Sequence, residues 1–162
     1  WWPAWTLAAT KPCWRRWTMT PDVNVLVAAS RSDHPHHAVA RAWLEGALAA
    51  VPTGGSFTLM PMEVASALRL VTSPKIFIQP TPITHAVDFI DAILNMPGVR
   101  FAPLGPEWQR LRQLCLDKQL GGNDLPDAWL AAAVEQLGGH LVSFDRDFKK
   151  LLGRSRFTLL EA

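Results

Sequence analysis

The sequence lacks several features that define secreted and membrane proteins. It has only two cysteines, Cys13 and Cys115, which lie about a hundred residues apart and form no C-x-x-C or zinc-type pattern. No stretch approaches the roughly eighteen consecutive apolar residues that a membrane-spanning helix requires. From the sequence we therefore expect a protein of the reducing cytoplasm that has no membrane segment.

A large basic charge, which would indicate a polyanion-binding surface, is also missing from the body of the chain. The sequence has 16 basic and 14 acidic residues, a formal charge of +2. Lys11, Arg15 and Arg16 all lie before Met19, so from Met19 onward thirteen basic residues stand against fourteen acidic ones, a charge of about −1. Overall charge therefore gives no support for nucleic-acid binding, and only local basic patches can supply it.

The first eighteen residues differ from the rest of the chain. They hold five of the eight tryptophans and no acidic residue, and they show neither helical nor strand periodicity. They also lack the charged start and longer apolar centre of a secretory signal. We interpret residues 1–18 as a Trp-rich N-terminal extension outside the domain, and residues 19–162 as a single domain. A start site placed too far upstream and a genuine tail both stay open as explanations.

From residue 18 onward, short apolar runs alternate with amphipathic helical segments. Strands are predicted at 18–22, 56–59, 99–102, 140–144 and 157–160, with helices between them. The nearly continuous apolar run at 140–144 is typical of a central parallel strand. The alternation predicts an α/β fold with a central, mainly parallel sheet.

Acidic residues interrupt the apolar segments at four distant positions. Asp22 follows the first strand, Glu63 lies in the first turn of the helix after the second strand, Asp127 begins a later helix, and Asp145 follows the 140–144 strand. Ligands bind outside the carboxyl ends of the strands in open parallel sheets. We therefore expect these four carboxylates to meet in one cleft.

Such a cluster is costly without a counter-ion. Two carboxylates 4 Å apart repel each other by roughly 4 kcal/mol at an effective dielectric constant near 20. Oxygen-only ligands favour Mg²⁺, or Mn²⁺, over zinc, and Mg²⁺ can activate water against a phosphodiester. We predict that Asp22 and Asp127 bind the metal directly, and that Glu63 and Asp145 bind it directly or through water.

Structural roles compete with some of these assignments. Asp124 stands three residues before Asp127 in a helix-start pattern, so we interpret Asp124 as an N-cap in a capping box and as a supporting residue of the site. Glu63 could simply be a negative charge that interacts favourably with the helix dipole. Asp145 or Asp147 could simply be turn residues after the strand. Asp145 leaves the strand first and is the better metal ligand, whereas Asp147 stays a supporting candidate.

Five segments together resemble the PIN-domain family, and within it the VapC toxin type. They are DVNVLVAA, PHHAVARAWLE, ALRLVTSPKIF, GNDLPDAWLAAA and LVSFDRDF. The resemblance covers essentially Met19 to the C-terminus. It implies a compact three-layer α/β/α fold, Mg²⁺-dependent endoribonuclease activity, a homodimer, and inhibition by a VapB-type antitoxin.

Carried over by position, the resemblance assigns the family's four acidic catalytic residues to Asp22, Glu63, Asp127 and Asp145. Asn24 matches the small polar position beside the first of them, where it would orient Asp22 or a water molecule. The alternative role of Asn24 is a local helix cap. The Trp-rich segment 1–18 has no counterpart in the family, and Pro21 removes a hydrogen-bond donor from the opening strand.

Local basic residues follow Asp145 closely. Arg146, Lys149 and Lys150 are candidates for contact with an RNA substrate, and a solvated helix face is the equal alternative. Apolar side chains on the helices at 36–50 and 83–96 could supply the interface of a homodimer.

Other classes of function fit less of the sequence. A haloacid-dehalogenase-like phosphatase requires Asp-x-Asp, but position 24 is Asn. A P-loop or dinucleotide fold requires a glycine-rich loop after the first strand, and none of the Gly pairs has that form. A non-catalytic PIN-fold module that binds RNA or a partner would keep the fold without metal. Loss of activity on removal of Asp22 would argue against that alternative.

Overall fold

The computed structural model describes residues 18–161 and shows, within that range, a five-stranded sheet. All neighbouring strands are parallel, in the order β3-β2-β1-β4-β5, which confirms the predicted α/β class. The strands are β1 (Thr18–Pro21), β2 (Ser56–Leu59), β3 (Val99–Phe101), β4 (Gly139–Ser143) and β5 (Phe157–Leu159).

The α-helices of the described range connect these strands, and two of them fall within the segments predicted at 36–50 and 83–96. They are α1 (Val23–Ser30), α2 (His37–Ala49), α3 (Pro61–Val71), α4 (Ile83–Leu94), α5 (Trp108–Lys118), α6 (Asp124–Gln136) and α7 (Phe148–Leu151). After α6 the chain turns at Gly138, whose φ of 63° favours glycine, and enters β4 directly.

Two apolar cores hold the helices against the sheet. One core joins α1, α2, α3 and α4 to β2, and the other joins α5, α6 and α7 to β4 and β5. The sheet therefore lies between two helical layers, as the predicted three-layer α/β/α architecture requires. Fully buried side chains at the two cores include Leu26, Phe57 and Leu59 in the first, and Leu130, Leu141 and Phe148 in the second.

β1 is the central strand, although it contains a proline. Pro21 is its last residue and stands opposite Val142 of β4, where the proline has no N–H to donate. The ladder resumes one residue later, because the Asp22 N–H donates to the Val142 carbonyl at 2.9 Å. The missing donor therefore does not move β1 to an edge, and the chain leaves the sheet at Asp22.

The N-terminal prediction is covered only at its last residue. Thr18, assigned to the extension, is the first residue of β1 and pairs with Ser56 and Gly139. Residues 1–17 lie outside the described residues, so their separation from the domain stays a prediction. Within residues 18–161, no helix combines the length and the apolar character needed to cross a membrane.

Candidate active site

Asp22 and Glu63 converge on one backbone amide at the carboxyl edge of the sheet. Asp22 is the N-cap of α1, and its Oδ1 accepts the Val23 N–H at 2.6 Å. Glu63 Oε2, from the first turn of α3, accepts the same N–H at 2.7 Å. The two side chains are only 4% and 7% exposed. The shared N–H and the Ser143 hydroxyl, which donates to Asp22 Oδ2, cannot compensate two buried carboxylates, so the pair requires a proton or a cation.

The pKa values of the clustered carboxyl groups are raised. Burial, followed by the charge of Asp22, raises the pKa of Glu63 to about 8. Burial also raises the pKa of Asp22, and the hydrogen bond from Ser143 opposes that rise. The pKa of Asp127 is raised to about 6 by burial and then by the charges of Asp22 and Asp145. Burial and the charges of neighbouring carboxylates therefore act together on these groups.

Ser143, the last residue of β4, links Asp22 to Asn24. Its hydroxyl donates to Asp22 Oδ2, accepts from Asn24 Nδ2 at 2.9 Å and accepts from the Asp145 N–H at 2.8 Å. Asn24 Oδ1 also accepts the Phe144 N–H at 3.2 Å. Asn24 thus lies beside Asp22 with Ser143 between them, and its alternative role as a helix cap is wrong because Asp22 caps α1. Sequence reasoning missed Ser143, whose one signal was its position at a strand end.

Replacing Ser143 with alanine is expected to lower the free energy of unfolding by about 1–3 kcal/mol, because buried polar groups of Asp22 and Asn24 lose their partner. Urea titration in EDTA measures the change. Ser30→Ala is the matched control, since it removes one hydrogen bond, to the Val27 carbonyl, at the end of α1. A loss no larger than that of the control would contradict a role for Ser143 in holding the site together.

Asp145 combines a turn contact with a place in the cluster. Its Oδ1 accepts the Asp147 N–H at 2.8 Å, which is the turn role that competed with metal binding. Its charge nevertheless contributes to the raised pKa values of Asp127 and Asp22. Asp147 is exposed and pairs with Lys150 Nζ at 2.7 Å, so it lies at the rim of the site.

The prediction that Asp124 caps α6 is wrong. α6 begins at Asp124 itself, its N-cap is Asn123, and no side-chain cap hydrogen bond is formed. The chain already turns at Gly121, whose carbonyl accepts the Asp124 N–H at 3.2 Å, and this turn draws Asp124 into the helix. The carboxylates of Asp124 and Asp127 are left to face a neighbouring cavity. That cavity, of about 440 Å³, is lined by Lys118, Leu120, Asp124, Asp127, Asp147, Lys150 and Leu151.

The donor set of this edge fits a hard cation such as Mg²⁺. Asp22, Glu63, Asp127 and Asp145 offer only oxygen ligands, and the first two crowd a single N–H. In the part of the chain that the structure describes, no three or more Asp, Glu, His or Cys side chains form a group placed to hold a metal ion. Mg²⁺ does not require such a group, because it keeps several waters and is commonly held by one or two carboxylates.

Comparison with known proteins assigns the chain to a family. The family model described as PIN domain matches residues 19–152. The chain belongs to the PIN-domain family. This PIN domain is 40% identical over 132 residues to Ribonuclease VapC31 of Mycobacterium tuberculosis, a match that covers 80% of this chain and 89% of that protein. Ribonuclease VapC25 of the same organism is 39% identical over 130 residues, with 80% and 89% covered. The domain is therefore of the VapC type.

Solved structures support the same fold for this PIN domain. VapC20 of Mycobacterium tuberculosis, described as a sarcin-ricin loop cleaving toxin, aligns with a TM-score of 0.57 at 18% identity, covering 82% of this chain and 94% of that one. VapBC2 from Rickettsia felis, bound to a DNA fragment from its promoter, aligns with a TM-score of 0.58 at 14% identity, covering 83% and 92%. At such identities these structures establish the fold alone.

Proposed function

We propose that this PIN domain is a Mg²⁺-dependent endoribonuclease toxin that a VapB-type antitoxin inhibits. The observation that carries the proposal is the buried Asp22–Glu63 pair on one N–H, within the field of Asp127 and Asp145. The names of the curated relatives support RNA as the substrate, since both are ribonucleases at 39–40% identity.

Each residue of the cluster has a distinct task in this proposal. Asp22 and Asp127 hold the metal directly, and Glu63 and Asp145 hold it directly or through water. Mg²⁺, or Mn²⁺ in its place, supplies charge neutralisation at the scissile phosphate and activation of water. Ser143 positions the site by binding Asp22 Oδ2 and the Asp145 N–H at once.

The basic residues after Asp145 are proposed to hold the RNA backbone. Arg146, Lys149 and Lys150 are all exposed, and Lys150 is paired with Asp147. We expect Lys149→Ala to reduce the slope of log affinity against log salt by about 0.7 for single-stranded RNA, as the loss of one phosphate contact would. Arg41→Ala, which removes another exposed charge from α2, serves as the control. Identical slopes for Lys149→Ala and the wild type would contradict the contact.

The proposal includes two protein partners. A VapB-type antitoxin is suggested by the solved neighbour from Rickettsia felis, whose description names VapBC2 bound to promoter DNA. A homodimer is suggested by a groove of about 320 Å³ between α2 and α4, the helices expected to form an interface. Light scattering of the purified full chain measures its mass, and a monomer at micromolar concentration would contradict the dimer. We propose that the protein acts in the cytoplasm.

A non-catalytic module that binds RNA or a partner is the second candidate. It is favoured by the lack, among residues 18–161, of any three Asp, Glu, His or Cys side chains grouped so as to hold a metal ion. The full chain is incubated with a mixed RNA pool in Mg²⁺, in Mn²⁺ and in EDTA, and the fragments are separated on a denaturing gel. Cutting in either metal but not in EDTA supports the nuclease. Binding of several RNAs without cutting in any metal identifies the module instead.

A further inference from the structure

A histidine-rich loop before α2 has no part in the proposed function so far. Two of its histidines hold the loop itself. His37 Nδ1 donates to the carbonyl of Ala28, in the last turn of α1, at 2.8 Å, and His34 Nδ1 accepts the His36 N–H at 3.1 Å. Burial, followed by the charge of His36, lowers the pKa of His34, which favours the neutral ring that this bond requires. The ring of His36 is left to contact the rest of the molecule.

The His36 ring stacks on Phe144, the residue between Ser143 and Asp145. The two ring centroids lie 4.8 Å apart and the ring planes differ by 22°. The His34 ring lies 5.6 Å from that of His36. Phe144 also packs against the core that joins α1, α2, α3 and α4 to β2. The stack therefore connects the start of α2 to the carboxyl end of β4, where Ser143 and Asp145 belong to the site.

The backbone of Phe144 sets the orientation of the Asn24 side chain. Its N–H donates to Asn24 Oδ1 at 3.2 Å, which turns the amide nitrogen of Asn24 toward Ser143. Ser143 Oγ accepts from that nitrogen at 2.9 Å and from the Asp145 N–H at 2.8 Å. Both acceptor positions of the hydroxyl are then occupied, so its proton is directed to Asp22 Oδ2.

We propose that His36 is a positioning residue that acts through Phe144 on the orientation of Asp22. The stack keeps the Phe144 N–H at the Asn24 oxygen, and the hydrogen bonds that follow hold Asp22 Oδ2, the oxygen that does not accept the Val23 N–H. The inference deepens the proposed function, because Asp22 is a proposed direct ligand of the metal. Without the stack, Asp22 would stay buried but lose the orientation that a metal ligand requires.

A ring substitution separates stacking from the chemistry of the imidazole. His36 Nδ1 is buried and, in the described part of the chain, has no hydrogen-bond partner. A phenyl ring keeps the stack without this unpartnered nitrogen, so we expect His36→Phe to be at least as stable as the wild type and to retain the positioning. His36→Ala removes the ring. His37→Ala is the matched control, because it removes a histidine of the same loop whose bond runs to Ala28 rather than to the site.

Hydrogen exchange of the metal-free protein tests the contact without catalysis. Exchange of the Phe144 amide proton is followed by NMR on the full chain in EDTA. We expect His36→Ala to speed this exchange about tenfold or more, and His36→Phe and His37→Ala to change it by less than about twofold. The side-chain amide signals of Asn24 are expected to move toward those of a solvent-exposed amide in His36→Ala alone.

The kinetic test separates positioning from RNA binding. In Mg²⁺, below the melting temperature of every variant, His36→Ala is expected to lower kcat for RNA cleavage about tenfold with KM unchanged, and His36→Phe to keep most of it. Phe144→Leu removes the stack from its other partner and is expected to give the same loss, which tests the contact should His36→Ala not fold. In an Asn24→Ala background, His36→Ala is expected to have no further effect, because its route to Asp22 is already broken.

Each contrary result has a clear meaning. Unchanged exchange of the Phe144 amide in His36→Ala overturns the proposal. An equal loss of kcat in His36→Ala and His37→Ala also overturns it, since a general loosening of the loop would then explain both. A further loss from His36→Ala in the Asn24→Ala background would likewise exclude the route. If His36→Ala alone speeds the exchange but the wild type cuts no RNA in Mg²⁺ or Mn²⁺, the proposed nuclease fails and the positioning of Asp22 stands.

Discussion

Replacing Asp22 with asparagine is expected to reduce metal-dependent RNA cleavage by at least about a thousandfold, while making the metal-free fold more stable. The loss of cleavage follows because a proposed direct metal ligand loses its charge, and removal of a central catalytic group commonly costs this much or more. The gain in stability follows because Asp22 lies buried against Glu63, and its own pKa is raised by that burial.

Asp22→Asn removes the negative charge of the side chain and keeps its shape. Asparagine keeps the oxygen that accepts the Val23 N–H, so the cap of α1 survives. Its amide nitrogen cannot accept the Ser143 hydroxyl as Asp22 Oδ2 does, and we expect the removal of a buried charge beside Glu63 to outweigh the loss of that bond. We expect the melting temperature in EDTA to rise by about 3 °C, which corresponds to roughly 1 kcal/mol in a chain of this size. Thermal unfolding and RNA cleavage are measured on the same preparation. Asp88→Asn, an exposed position on α4, is expected to change neither quantity. Loss of activity accompanied by a lower melting temperature would attribute the effect to folding instead.

The metal-free protein is expected to lose stability as the pH rises from about 5 to about 8, and Mg²⁺ is expected to restore it. The pKa of Glu63 is about 8 in the folded state against an ordinary value of 4.5. The pKa of Asp127 is about 6 against 3.8. At a pH between its ordinary pKa and its raised pKa, each carboxyl group retains in the folded state a proton that the unfolded state has released. The free energy of unfolding therefore falls with rising pH. The stability that the protonated Glu63 and Asp127 contribute is complete below their ordinary pKa values. It is lost as the pH rises through their folded-state pKa values.

Metal binding has the opposite pH dependence. Carboxylates bind Mg²⁺ in their deprotonated form, so the affinity for metal rises over the same range. We expect the stabilisation by Mg²⁺ to grow by several degrees between about pH 6 and pH 8.5, on the order of 1–2 kcal/mol.

Glu63→Gln tests the origin of this dependence. Glutamine keeps an acceptor for the Val23 N–H but has no proton to lose, so the variant should melt higher than the wild type at pH 8 in EDTA and show a flatter pH profile. Glu45→Gln, on the exposed face of α2, is the control. Parallel pH profiles for Glu63→Gln and the wild type would show that another group causes the loss.

The placement of the carboxylates could be predicted because it depends on topology more than on detail. Strand and helix periodicity marked each strand of the sheet, and the rule that strand ends share one edge brought Asp22 and Asp145 together. Glu63 followed because it lies in the first turn of the helix directly after β2. Its convergence with Asp22 on one N–H is a contact that no local pattern specifies.

The remaining contacts depend on pairing between distant segments. Ser143 reaches Asp22 because β1 and β4 are neighbours in the sheet, with Pro21 opposite Val142. A single serine at a strand end gives no sign of that register. Asp124 was assigned to a cap because its spacing to Asp127 matched a capping box, yet the preceding glycine turn starts the helix one residue earlier than that pattern requires.

The most direct test of the carboxylate cluster as a cation site is a Mn²⁺ titration of the full chain near pH 8, with free Mn²⁺ followed by electron paramagnetic resonance. The wild type, Asp22→Asn, Asp127→Asn and the control Asp88→Asn are compared. We expect the wild type and the control to bind one or two ions, and the two cluster variants to lose that binding. Equal Mn²⁺ binding by all four proteins, or none by the wild type, would contradict the metal site on which the proposed nuclease depends.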